Sequence, residues 1–546
     1  MKRFPLPALV LSLICALPLS AFGGGDYPDH DLLTARLKKL ASDYPHYVSL
    51  ESLTQTSGGR DIWLLSLGAG NLADRPAVAV VGGTEGDHLL GTGLALRFAE
   101  MLLEESSGEE TRRLLENHTF YVFPDMTPDA GAQYFAPLKY ERKGNDNSSY
   151  TDRYGNEIGH PYRDLNGDGM ITLMRVKDPH GDWLPHPDDK RVMVRADKSS
   201  GELGEYSLYA EGVDLLKSER WTEAGVNFNM NFSFKFPVFT SGAGDHAVSE
   251  KESRAIASFL FEAKNVYAVV SFGPANNLAA PLRYNERDAS GRIITGILEG
   301  DARINQMVSR KYVDMTGDIS GPAVAGSDGD FFQWAYFHYG RHSFSTPGWS
   351  FPREASGNES RRSGDERDDC SALLFLRWAD EQGMDDVFIP WESVVHPEFP
   401  DKEIEVGGIS PFAMTNPPRE MAEEIARSHY RFIVELAGLR PEIEIRNIKK
   451  EELGRGVYRI TADVANTGRL PTVTELGERV RWVQKTVIRL ETDRGQEALS
   501  GNRIEVLGAI EGGKAETRSW LIRGRGTVKI RAGAENTGFD EVTVRL

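Results

Sequence analysis

Cysteine is nearly absent. The 546 residues hold two, Cys15 and Cys370. Cys15 lies in an apolar stretch from Leu6 to Phe22, preceded by Lys2 and Arg3 and followed by Gly23, Gly24 and Gly25. That is the charged, greasy and small-residue order of a secretory signal, so residues 1–23 are expected to be a removable leader. With the leader gone, Cys370 stands alone and no intramolecular disulfide can form. Export without disulfides fits a bacterial-type periplasm or the exterior, which makes the chain secreted or periplasmic. A retained anchor is the rival reading, but the stretch is short of the ~20 apolar residues a span needs. No second run is longer, so no membrane span is expected after processing. Positive charge is also in deficit: 63 Lys and Arg against 81 Asp and Glu leave a formal charge of -18. That balance argues against a nucleic-acid partner and against a polybasic membrane contact. There is no internal repeat.

What is present supports a large fold. At 40% hydrophobic content the chain can bury a sizeable core in two or more domains. Up to about residue 440, short apolar runs alternate with amphipathic stretches, the pattern of an α/β domain. Ala77 to Val81, Phe120 to Phe123 and Val266 to Phe272 predict strands. Leu94, Phe98, Met101 and Leu102 recur at helical spacing within Leu89 to Glu104, as do Ile256, Phe259, Leu260 and Ala263 within Glu250 to Lys264. A polar segment over about 139–224 reads as a functional loop or an insertion. Beyond Pro441, short alternating strands with turn signals predict an all-β sandwich over 441–546. The expected organisation is therefore a leader over 1–23, an α/β domain over 24–440 with a mixed open sheet flanked by helices, and the sandwich.

The strand Ala77 to Val81 runs into Gly82-Gly83-Thr84-Glu85-Gly86-Asp87-His88, which places Glu85 and His88 where ligands collect beyond the carboxyl ends of strands. A carboxylate and an imidazole three residues apart can reach one ion. Here the chain resembles the zinc carboxypeptidase family, the exopeptidases of carboxypeptidase A, B and T type, whose site opens with His-x-x-Glu after a strand. Thr127-Pro128-Asp129 is similar to the family's Asn-Pro-Asp. Gly225-Val226-Asn227-Phe228-Asn229-Met230-Asn231-Phe232 is similar to its Gly-Val-Asp-Leu-Asn-Arg-Asn-Phe. Ser249-Glu250, then Trp334-Ala335-Tyr336 before Ser343-Phe344, continue the family's order, and the resemblance spans roughly residues 27–440.

The resemblance implies a zinc ion held by a His, a Glu and a second His, a water activated by a separate Glu, an Arg that polarises the carbonyl, and an Asn-Arg clamp on the substrate carboxylate. This chain departs at most of those places. The first pair is inverted as Glu85 and His88, either two zinc ligands or a hydrogen-bonded loop pair. Gly273 stands where the second His belongs, with Asn276 and Asn277 as the nearby oxygen donors. Pro347 replaces the base, and His342, five residues earlier on the same strand, reads as a surface or packing residue. Met230 replaces the clamp Arg and leaves Asn229 as the substrate-binding residue. Arg175 is the candidate carbonyl-polarising group.

Asp164, Asn166, Asp168 and Met170 have the alternate spacing of a calcium loop with Gly169 at its sixth position, but Arg175 occupies the twelfth, where a Glu normally closes the shell. The same residues also suit an Asx-turn cluster. Three functions follow: an exported family protein with impaired peptidase activity whose cleft binds peptide or acts as a scaffold, an active zinc metallocarboxypeptidase with reordered ligands, or an envelope adhesion protein whose sandwich carries the contacts.

Overall fold

The computed structural model of the chain describes residues 27–147, 157–158, 162–199, 201–213, 221–222, 224–317, 319, 321–322, 324–352 and 368–546. The expected leader, with Cys15, lies outside them.

The central sheet has six strands in the spatial order Val48–Gln55, Asp61–Leu67, Thr119–Phe123, Ala77–Val81, Val266–Phe272 and His342–Thr346. The first two pairings are antiparallel and the other three parallel. The strand Ala77–Val81 is buried along its whole length because both faces of the sheet are covered, and its side chains alternate between two cores. Val78 and Val80 pack with Leu94 and Phe98 of the helix Leu89–Glu104 and with Ile433 of the helix Arg419–Gly438. Ala77, Ala79 and Val81 pack instead with Ile256 and Leu260 of the helix Lys251–Glu262 and with Trp334. An apolar run without alternation is the sequence signature of that double burial.

The register aligns the carboxyl ends of the parallel strands: Val81 faces Phe123 on one side and Ser271 on the other, and Phe272 faces Thr346. The residues just past those ends, Glu85, Asp125, Gly273 and Pro347, therefore emerge at one edge, where an open sheet forms its crevice.

The polar stretch expected as a loop or insertion contributes strands to a second, antiparallel sheet of six, in the order Phe388–Val394, Ile404–Ile409, Leu173–Lys177, Tyr206–Ala210, Trp183–Pro185 and Met193–Arg195. Residues 443–545 form two four-stranded antiparallel sheets closed on one core, with Ile460, Val464, Trp520 and Ile522 from one sheet meeting Ile488, Leu490, Val528 and Ile530 from the other. The sandwich is tied to the α/β body at Asp301, which is buried and accepts the Glu475 and Leu476 N–H groups at 2.8 and 3.1 Å and the Tyr336 hydroxyl at 2.7 Å. Among the described residues no helix is long and apolar enough to cross a membrane.

Candidate functional site

Past Val81 the chain turns within two glycines. A Cβ on Gly82 would lie 2.5 Å from the backbone oxygens of both Gly91 and Pro124, and Gly83 has φ +55°, so a bare backbone is required at this turn. Thr84 donates its hydroxyl to the Phe272 carbonyl at 3.1 Å, stitching the turn to the neighbouring strand. Glu85 and His88 are thereby pointed inward, and both are buried.

Each is already engaged. Glu85 Oε1 accepts from Asn229 Nδ2 at 2.9 Å, and Oε2 faces Lys143 Nζ at 3.4 Å. His88 Nε2 lies 2.8 Å from the Pro347 carbonyl oxygen. A carbonyl only accepts, so Nε2 carries the proton and Nδ1 is the lone-pair nitrogen. Nδ1 is buried without a hydrogen-bond partner among the described residues. Lys143 also approaches Asp87 Oδ2 at 3.8 Å.

The electrostatics follow from this packing. Burial pushes the Glu85 carboxyl up, against the pull of Lys143. Burial pushes the His88 imidazole down, so it is neutral at pH 7. Lys143 is held above its ordinary range, at about 12, chiefly by the Glu85 carboxylate. The ammonium supplies the positive charge beside that carboxylate.

A zinc shell does not fit these residues. Zinc takes three or four nitrogen, sulfur or carboxylate donors, and among the described residues no group of three or more His, Cys, Asp and Glu can hold a metal. Gly273 offers no ligand, and a Cβ there would meet Thr84 Oγ1 at 2.2 Å, so a side chain at this position requires Thr84 to shift. Asn276 and Asn277, expected as oxygen donors, are spent on the fold. Their Oδ1 atoms accept from Ala279 N at 2.9 Å and Ser345 N at 2.8 Å, and their amides donate to Pro322 O and Ser343 O, each at 3.0 Å. A dication would also have to displace Lys143 from Glu85.

The proton acceptors of the crevice are likewise structural. Pro347 presents only its carbonyl, which His88 occupies. Asp125 and Asp330 are each pushed up to about 7 by burial, but Asp125 accepts the Thr127 N–H at 3.0 Å and Asp330 caps the helix Phe331–Phe337 through Gln333 N at 2.7 Å. His342 is a packing residue, stacked on Phe344 at 10° and lowered to about 3 by burial.

Asn229, expected to grip substrate, sits in the crevice with its amide turned on Glu85 and on the Thr84 carbonyl at 3.0 Å, and its oxygen accepts from Phe331 N at 3.3 Å. Met230 follows it in a short turn, Phe228–Met230. Arg175, read as carbonyl-polarising, belongs elsewhere. It lies on the strand Leu173–Lys177 of the second sheet, paired with Glu405 at 2.8 Å and stacked over the Trp391 and Tyr206 rings at 4.2 and 5.1 Å. None of its contacts is with Glu85, His88 or Asn229.

The residues of the expected calcium loop hydrogen-bond within the loop. Asp164 accepts from Gly167 N and Gly169 N at 2.6 and 2.9 Å, Asn166 from Asp168 N at 3.2 Å, and Asp168 from Met170 N at 2.8 Å. These bonds have the pattern of Asx turns. Behind it the buried Glu211 accepts from Leu165 N, Thr172 N and the Thr172 hydroxyl.

Lys143, Asp87 and Glu211 are the residues the sequence reading missed. The one local signal for the first was a lysine in a polar stretch, and nothing in its spacing pointed 58 residues back to Glu85.

A sequence profile described as zinc carboxypeptidase matches residues 33–174, and one described as Domain of unknown function (DUF8731) matches residues 442–545. The chain is 32% identical to carboxypeptidase B of Astacus astacus over 117 residues, which is 21% of this chain and 38% of that protein. It is 29% identical to carboxypeptidase D of Homo sapiens over 128 residues, 23% of this chain and 9% of that one. The matched stretches thus span well under half the length of these relatives. Among solved structures, carboxypeptidase A from Helicoverpa armigera aligns over 59% of this chain and 64% of its own, with a TM-score of 0.35 and 15% identity. Thrombin activatable fibrinolysis inhibitor aligns over 76% and 74%, with a TM-score of 0.39 and 12% identity.

Proposed function

The chain belongs to the zinc carboxypeptidase family, and from that premise we propose that it is an exported member in which zinc-dependent peptide hydrolysis has given way to peptide binding or scaffolding. One observation carries the proposal: the buried Glu85 is ion-paired with Lys143 and hydrogen-bonded by Asn229, and among the described residues no third His, Cys, Asp or Glu joins Glu85 and His88 as a ligand. Activating water needs a Lewis acid or a general base, and loss of a general base alone costs about a hundred- to ten-thousandfold in rate. Substitution at Gly273, Pro347 and Met230 removes three roles together, which compensation by a single neighbour does not repair.

Peptide binding remains open to such a fold. A cavity of about 560 Å³ is walled by Tyr140, Tyr162, Trp183 and Trp391 and includes Glu141, two residues before Lys143. Aromatic walls with a few polar groups are the usual make-up of a ligand site. Export rests on the basic and apolar order of residues 2–25.

The test incubates the purified chain, with zinc supplied, with a peptide library and reads both cleavage products and retained peptides by mass spectrometry. The expected result is retention of a subset of peptides with no trimming of their carboxyl ends. Processive loss of C-terminal residues, abolished by His88→Ala, would sink the proposal.

A further inference from the structure

The sandwich carries a second cavity, of about 680 Å³, on the outward side of the sheet formed by Ile504–Val506, Val487–Thr492, Thr527–Ala534 and Gly538–Arg545. Its floor holds an arrangement that costs stability. Arg489 and Arg531 are direct cross-strand partners, which puts their Cβ atoms ~5 Å apart, and like charges so placed repel. Neither forms a salt bridge among the described residues. Glu541, which faces Arg531 across the next strand, pairs instead with Lys529 at 3.0 Å. The Arg531 guanidinium lies over the Phe539 ring at 4.5 Å.

Arg481 and Lys485 add to the same wall, and the Lys485 ammonium donates only to the neutral Glu478 carbonyl, at 2.7 Å. Two carboxylates also line the cavity, Glu478, which accepts the Ala509 N–H at 2.8 Å, and Glu535, which faces the Gln484 amide, against the cations Arg479, Arg481, Lys485, Arg489 and Arg531. Farther along the sheet the signs alternate, with Glu491 opposite Lys529. The concentration of positive charge is therefore local, in a chain of formal charge -18. Apolar surface borders it, since Val506 is 60% and Phe539 46% exposed.

We propose that this cavity docks an acidic peptide segment whose carboxylates alternate with apolar side chains. Guanidinium forks match carboxylates in two parallel hydrogen bonds, which would relieve the repulsion between Arg489 and Arg531. Val506 and Phe539 offer apolar contact that a polyuronate chain does not use, and the concave floor does not fit a flat bilayer. The site is separate from the crevice around Glu85 and does not depend on the function assigned there.

The test measures fluorescence anisotropy of a labelled peptide of alternating Glu and Leu with the full chain at low and at physiological salt. Binding is expected, weakening as salt rises. The Arg489→Ser, Arg531→Ser double variant should bind about tenfold or more weakly, while its Tm stays level or rises because the like-charge pair is gone. Equal affinity in the double variant, or a lowered Tm accompanying the loss, would overturn the proposal. So would an alternating Lys and Leu peptide, a polyuronate or anionic lipid vesicles binding as tightly as the acidic peptide.

Discussion

Lys143 sets the charge of the crevice. Its side chain is about half exposed, so it holds Glu85 from the solvent side and gains less than a fully buried pair would. Lys143→Met should destabilise the fold by about 1–2 kcal/mol, because it leaves a desolvated carboxyl without its cation. Glu85→Gln in the same chain should restore most of that loss, and a double-mutant cycle in urea measures the coupling. Additive losses would mean that the two residues do not act as a pair.

His342 belongs to the same scale. Its folded-state pKa, lowered to about 3 by burial and then by Arg341, lies below the ordinary value of 6.5. Above pH 6.5 the residue is neutral folded or unfolded and contributes no pH dependence. As pH falls below 6.5 the unfolded state takes up a proton that the folded state refuses, so stability drops. Between pH 7.5 and 5 the cost is about 2 kcal/mol. The His342→Phe variant should therefore lose less stability than the parent over that interval, as read from urea midpoints at the two pH values.

At the scale of elements, the strand-to-helix turn decides what the crevice can contain. Gly82→Ala drives a Cβ into two backbone carbonyls, and backbone cannot step aside as a flexible side chain can. A loss of about 2 kcal/mol or more is expected in denaturant titration. Gly273→His, which would restore a third ligand type, meets Thr84 first and should destabilise rather than create a metal site.

The sequence made these elements readable to different degrees. Ala77–Val81, Leu89–Glu104 and Val266–Phe272 were legible to the residue because their burial imposes uninterrupted apolar runs or helical spacing. The second sheet was not, since strands such as Trp183–Pro185 and Met193–Arg195 are three residues long and lie in a polar segment. Glu497–Ser500 and Ile504–Val506 in the sandwich were missed for the same reason. In the site, the departures at Gly273, Pro347 and Met230 could be read directly. Their replacements could not, because the partners of Glu85 arrive from 58 and 144 residues away along the chain, and only the folded register brings them together. Arg175 misled for the complementary reason: its position in a polar loop looked free, whereas the strand it occupies turns it onto Glu405 and Trp391.

At the scale of the molecule, the α/β body and the sandwich differ in how their charge is managed. In the crevice, the buried Glu85 carboxylate is paired with the half-exposed Lys143 ammonium. On the sandwich, Arg489 and Arg531 face one another with no salt bridge to either among the described residues, in a chain of formal charge -18. The crevice lies at the end of the α/β sheet and the arginine pair lies on a strand pair of the sandwich, so separate variants probe them.

The most direct measurement is the zinc content of the purified full-length chain after incubation with excess zinc and removal of unbound metal. Zinc far below one ion per chain is expected, unchanged by His88→Ala. One tightly held zinc per chain, lost on replacing either Glu85 or His88, would contradict a crevice whose carboxylate is already neutralised by Lys143.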